Sequence, residues 1–230
     1  MVTPLDLVTL ATEFTLLLAT FALVFLSRRE ALGRGMLLRN LVSVSKAVSR
    51  QEYFGHIVEG MQGAVNYVQA AITGTTPVST EANNQVTRII EQIRVARKRN
   101  VVLQYLMPKS QDRISLAHRY REAGAEVRFH PSLLLGDMRY TIFDGATVVI
   151  GLPLVVGEGE PIREGYRIPS EGVAEIFRQQ FETKWKQGTD LEQYLHELLS
   201  EAGKANPRLS RRLIANQLGV PESAIAAVPD

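Results

Sequence analysis

The chain opens on an almost unbroken apolar run. From Leu7 to Leu26 it reads LVTLATEFTLLLATFALVFL, with Glu13 as its one charge. An apolar helix of about 20 residues spans the hydrocarbon core of a bilayer, so a transmembrane helix is expected within residues 1–28. Met1 to Asp6 has no basic residue, and the run ends in Ser27-Arg28-Arg29 rather than in a small-x-small cleavage site. These flanks favour a retained anchor over a cleaved signal. Arg28, Arg29, Arg34, Arg39, Lys46 and Arg50 follow the run. The positive-inside rule then expects a single-pass protein of the plasma (inner) membrane, N-terminus outside and body in the cytoplasm. Asp6, Glu13, Thr20 and Ser27 recur at steps of seven, and a helix drifts only about 20° per heptad, so they form one polar stripe. A carboxyl group facing lipid is costly, so the stripe is expected to face other copies of the span, as a helix contact or as the wall of a pore. The alternative is that the threonines bond their own backbone and only Glu13 needs a partner.

Beyond the span, residues 28–72 read as helix, continuous or broken once near Gln51, from the spacing of Phe54, Ile57, Val58, Met61, Val65, Val68 and Ile72. Its basic start either lies on anionic lipid or serves topology alone. Thr73 to Pro77 is a linker. A helix capped by Ser79 or Thr80 follows, with Val86, Ile89, Ile90, Ile93 and Ala96 on one face. Arg94, Arg97, Lys98 and Arg99 crowd its end, where they complement the helix dipole. Then come a strand at Val101–Leu106, a helix from Gln111 to Ala123 ended by Gly124, and a strand at Glu126–Phe129. Asp137 to Pro153 predicts two strands turning at Asp144-Gly145, the second nearly all apolar, as in a strand covered on both faces. On the first, Asp137, Arg139 and Thr141 share one face, and Met138, Tyr140 and Ile142 share the other. Tyr166-Arg167-Ile168 reads as a further short strand. Ser170 starts a helix with Val173, Phe177, Phe181 and Trp185 on one face, and Thr189-Asp190-Leu191-Glu192 is a capping box for the next. Arg211 to Val220 resembles half a helix-turn-helix, with no matched helix before it and no basic recognition face.

Composition then narrows the chemistry. There is no cysteine, which removes disulfides, thiol catalysis and Cys-based zinc sites. The net charge of +2, from 26 Lys+Arg against 24 Asp+Glu, selects no partner. His56, His118, His130 and His196 have no metal-ligand spacing, and His196-Glu197 lacks the second His of a zincin helix. Gly157-Glu158-Gly159 places an acid where phosphate would sit. No cofactor and no metal are expected.

The stretch Asp137-x-Arg139-x4-Asp144-x6-Gly151-Leu152 resembles the phospholipase D superfamily signature His-x-Lys-x4-Asp-x6-Gly-Ser, and the order of elements over residues 80 to 188 is similar. In that family the His attacks phosphorus and the Lys holds phosphate oxygens. Here the nucleophile position holds Asp137, an anion that repels a phosphodiester, while Arg139 retains a bidentate phosphate grip. Leu152 replaces the Ser. The resemblance implies an α/β fold: a single transmembrane helix plus a cytoplasmic phospholipase-D-like mixed sheet flanked by helices. The expected division is 1–28 transmembrane helix, 29–78 juxtamembrane helical region and linker, 79–188 phospholipase-D-like domain, and 189–230 C-terminal helices and tail. The expected function is a catalytically inactive ligand-binding or assembly subunit that self-associates through its span. Asp137, Arg139, Asp144, Lys109 and Arg167 are its candidate ligand contacts. The expected partners are the lipid membrane, further copies of the chain, and a phosphate-bearing ligand or other membrane-complex subunits; nucleic acid is not among them. Two alternatives stay open. One is a nucleotide-sensing effector whose spans form a pore, similar in architecture to membrane-anchored CARF effectors; the other is a residual phosphodiesterase or nuclease.

Overall fold

Asp144 and Gly145 both adopt positive φ, 50° and 67°, the backbone of the two-residue turn that matches the twist of paired strands. The hairpin they close, Arg139–Phe143 (β5) and Thr147–Leu152 (β6), pairs Arg139 with Gly151 and Phe143 with Thr147. It lies near the middle of the sheet in a computed structural model that describes residues 45–47, 50–73, 80–133, 139–152, 164–206 and 210–226. The remaining strands are Ser45–Ala47 (β1), Tyr67–Ala71 (β2), Val102–Pro108 (β3), Glu126–His130 (β4), Glu164–Pro169 (β7) and Thr189–Asp190 (β8). Among the described residues the sheet has eight strands in the order β1-β7-β6-β5-β2-β3-β4-β8. β2, β3 and β4 run parallel, and every other pairing is antiparallel. The architecture is a mixed α/β sheet flanked by helices.

Side chains alternate across a strand, and each face of the sheet carries its own apolar cluster. On one face Val68, Ala70, Leu103, Tyr105, Met107, Val127, Phe129, Phe143 and Val149 meet helices Arg50–Gly63, Thr80–Lys98, Ile114–Glu122 and Leu191–Ala205. On the other, Ala71, Leu106, Tyr140, Ile142, Val148 and Ile150 meet helix Glu171–Gln187 through Val173, Ala174, Phe177, Phe181 and Trp185. β6 is therefore buried on both faces, as its apolar run predicts. Ser170 caps the helix over the second face, its hydroxyl accepting from the Val173 N–H.

Three expectations need correction. Residues 28–72 are not one helical region: the helix Arg50–Gly63 ends, and Tyr67–Ala71 is a strand between β3 and β5. The sheet accordingly takes strands from before residue 79 and after residue 188. The capping box is shifted by one residue. Asp190 is the N-cap, accepting from the Gln193 N–H at 2.8 Å, and the Thr189 hydroxyl accepts from Lys109 instead. Lastly, Arg99 serves another helix than its own: its guanidinium donates to the Met61 and Gln62 carbonyls at 2.6 and 2.7 Å, capping the end of helix Arg50–Gly63.

The expected transmembrane helix, its stripe of Asp6, Glu13 and Thr20, the linker from residue 74 on, Asp137 and the charged loop Gly157–Gly165 as far as residue 163 lie outside the described residues. Among the described residues no helix is long and apolar enough to cross a membrane.

Candidate functional site

Strand register brings most of the candidate residues to one edge. Pro108 pairs with His130 and Ala71 with Tyr140. The C-terminal ends of β2, β3 and β4 therefore share an edge with the start of β5, where Arg139 stands. Arg139 faces Gly151, which faces Gly165 on β7. Open α/β sheets bind ligands at the carboxyl ends of their parallel strands, and this is that edge.

Near Arg139 the packing is set by a residue without a side chain. At Gly165 a Cβ would lie 2.6 Å from the Tyr53 ring and 3.2 Å from the Ile150 carbonyl, so only glycine lets helix Arg50–Gly63 approach β7 so closely. Tyr53 is buried there, which pushes its phenol up to about 12, while the nearby Arg139 guanidinium acts against that shift. By alternation Arg167 points to the same face as Arg139, one pleat further in and two strands away. Its Nε is buried without a hydrogen-bond partner.

Lys109 and Asp144 are committed elsewhere. The Lys109 ammonium lies 2.6 Å from the Glu197 carboxylate, donates to Thr189 and sits over the Tyr194 ring. It clamps helix Leu191–Ala205 to the end of β3. Asp144 sits at the opposite edge from Arg139. Its carboxylate accepts from the consecutive backbone N–H groups of Val65, Asn66 and Tyr67 at 2.8, 2.8 and 2.9 Å, and its own N–H donates to the Tyr67 carbonyl. Converging backbone amides form an anion-binding concavity, and here the chain supplies the anion itself. Of the five residues expected to contact a ligand, Arg139 and Arg167 share one face of the sheet two strands apart, Lys109 follows β3 at the same edge but is paired with Glu197, Asp144 is at the opposite edge, and Asp137 is outside the described residues.

Two polar side chains at this edge carried no signal in the sequence. His130 is buried, and its Nδ1 receives the Ser132 backbone N–H at 3.2 Å and the Ser132 hydroxyl at 2.9 Å. A backbone N–H can only donate, so Nδ1 is the unprotonated nitrogen and Nε2 carries the proton toward Gln187 Oε1, 3.3 Å away. Arg113, in the turn Gln111–Arg113, is also buried. It pairs with Asp112 at 2.9 Å, and burial lowers its affinity for a proton. Among the described residues no cluster of three or more acidic or histidine side chains is placed to hold a metal ion.

No protein-family model and no curated protein matches the sequence. Solved structures are similar to it at low identity. Nuc from Salmonella typhimurium, a phospholipase D family member, aligns with a TM-score of 0.49 and 16% identity over 64% of this chain and 97% of Nuc. NucT from Helicobacter pylori aligns at 0.48 and 14% identity over 64% and 98%. TrmBL2, an archaeal chromatin protein, aligns at 0.45 and 17% identity over 82% and 75%.

Proposed function

We propose that this chain is a membrane-anchored, phospholipase-D-like protein that binds a phosphate-bearing ligand without cleaving it and assembles through its span. The observation that carries the reading is the hairpin β5–β6. It presents Arg139 at the edge formed by the carboxyl ends of the parallel strands, at the signature's Lys position, and in the sequence Asp137 occupies the position of the attacking His. A carboxylate there cannot take the role of a neutral imidazole toward an anionic phosphodiester. Arg139 and Arg167 provide cationic chemistry for an anion on that face, and Asp144 keeps a structural role at the hairpin's far end.

The test joins turnover and affinity. Full-length protein in detergent should leave an activated phosphodiester intact with or without divalent metal. Cleavage abolished by Asp137→Ala would reverse the reading. Binding of inorganic phosphate or a nucleoside monophosphate should weaken about tenfold or more in Arg139→Ala, since a charge-assisted hydrogen bond contributes about 1.5–3 kcal/mol. Unchanged affinity would remove Arg139 from the site.

The span carries its own expectation. Glu13→Leu removes the costly carboxyl, so insertion should persist while self-association, followed by cross-linking from positions 13 and 20, declines. Stronger cross-linking from Leu17 and Val24 would place the stripe away from the interface. Loss of ion flux along with loss of self-association would favour the pore-forming alternative.

A further inference from the structure

The C-terminal end of the chain folds into a unit that the ligand-binding reading does not use. Helix Leu191–Ala205 is followed by helix Arg211–Leu218, a turn, and helix Glu222–Ala226. Ser210 caps the middle helix, its hydroxyl accepting from the Leu213 N–H at 3.3 Å. Gly219 ends that helix in the left-handed region at φ 66°, with the Val220 N–H returning to the Ala215 carbonyl. Ile214, Ala215, Leu218, Val220 and Ile225 are all buried and share one core with Leu195 and Leu198 of the preceding helix.

That combination resembles a helix-turn-helix. A small residue, Ala215, lets two helices approach, glycine makes the turn, and apolar residues at fixed offsets hold the second helix against the first. The helix Leu191–Ala205 provides the supporting element that the sequence pattern alone lacks. A Cβ at Gly219 would meet Ser115 at 3.3 Å, so the unit is also seated on helix Ile114–Glu122. Its outer surface stays open: Lys204, Arg212, Leu213, Asn216, Gln217 and Ser223 are exposed. Leu213 in particular, 52% exposed, is an apolar side chain left on a polar surface.

Charge chooses the occupant. From Gly203 to Pro221 the sequence carries Lys204, Arg208, Arg211 and Arg212 and no acidic residue, between Glu201 and Glu222, while the unit's other two acids, Glu192 and Glu197, are paired with Arg121 and Lys109. The second helix exposes Glu222, Ser223 and Ala226, with no cation. Affinity must therefore come from cations beside the helix pair meeting a polyanion, with little reading of base edges. We propose that this three-helix unit binds the phosphate backbone of duplex DNA, with weak sequence preference, which would tether DNA at the membrane if the N-terminal span is an anchor.

Full-length protein in detergent, titrated against a fluorescein-labelled mixed-sequence duplex, tests it by anisotropy. Binding should appear at low salt and fall steeply as salt rises. Lys204→Glu/Arg212→Glu should weaken binding by about tenfold or more and flatten the log–log salt dependence by about two, the count of lost phosphate contacts. Lys204→Arg/Arg212→Lys, which keeps both charges, should bind as the parent does. No binding at low salt would overturn the proposal, and so would binding that the charge-reversed variant retains. Lys204→Glu/Arg212→Glu should bind inorganic phosphate as the parent does, so failure here and failure of the phosphate-site reading, on which this inference does not rest, are separable.

Discussion

Asp144→Ala should lower the unfolding free energy by about 3 kcal/mol, the carboxylate being the shared acceptor for three consecutive backbone N–H groups. Each hydrogen bond to a charged group contributes roughly 1.5–3 kcal/mol. Two of the three donors, Val65 and Asn66, are in exposed positions, so water replaces part of what is lost. The third, Tyr67, is part-buried at the start of the central strand. A further fraction comes from the turn, because φ of 50° suits Asp or Asn and strains Ala. Asp144→Asn keeps one acceptor oxygen and the turn preference, so it should cost about 1 kcal/mol. Urea unfolding followed by fluorescence reads both, since Trp185 is the chain's one tryptophan and stacks on Phe181. Equal midpoints for Asp144→Ala and the parent would mean that the amides are satisfied by water and the clasp adds nothing.

The second large effect is expected at Phe181. Its side chain is fully buried between the sheet and Trp185, with ring centroids 5.4 Å apart. Truncating a buried Phe to Ala costs about 3–5 kcal/mol, through lost transfer energy and the cavity left behind. The upper half of that range is expected, because among the described residues helix Glu171–Gln187 is the one helix covering its face of the sheet, so no neighbouring helix can settle into the space. Phe181→Leu, which keeps most of the volume, should cost under about 1.5 kcal/mol. Circular dichroism during urea unfolding compares the two without depending on the altered Trp185 environment. A Phe181→Ala loss no greater than that of Phe181→Leu would show that the face re-packs.

Local signals made much of this fold readable. The Asp144-Gly145 turn, the Ser170 cap and the 3.6-residue spacing of Val86, Ile89, Ile90 and Ile93 each depend on neighbours a few residues away, and each stands in the structure. β2 did not show itself for the complementary reason. Tyr-Val-Gln-Ala-Ala has no alternation, because Ala70 and Ala71 are buried on opposite faces, and Val65, Val68 and Ile72 happen to fit a helical spacing. Short apolar runs of this length do not separate strand from helix by period. β1 and β8, three and two residues long, exist only through their pairing partners. The hairpin signal put Arg139 on a strand and Asp144 at its turn, as the structure has them, but it said nothing of their contacts. Asp144 is bonded to residues 77 to 79 positions away, and Lys109 to a helix that begins after residue 190. Contacts of that range leave no trace in a local pattern. Arg113 and His130 were missed likewise, since burial of a polar side chain is decided by the elements that close over it.

The central position of β2 also sets an order of events at the ribosome. β2 lies between β3 and β5, and its partner Phe143 is translated long after Val68. At roughly 5–20 residues per second, the strand waits several seconds with one side unpaired, and the amides of Val65 to Tyr67 wait equally long for the Asp144 carboxylate. An unpaired strand edge recruits other chains. Newly made copies held close together would therefore be most prone to cross-pairing before the hairpin emerges, and slowing translation between residues 72 and 139 should raise aggregation without any change in the finished protein.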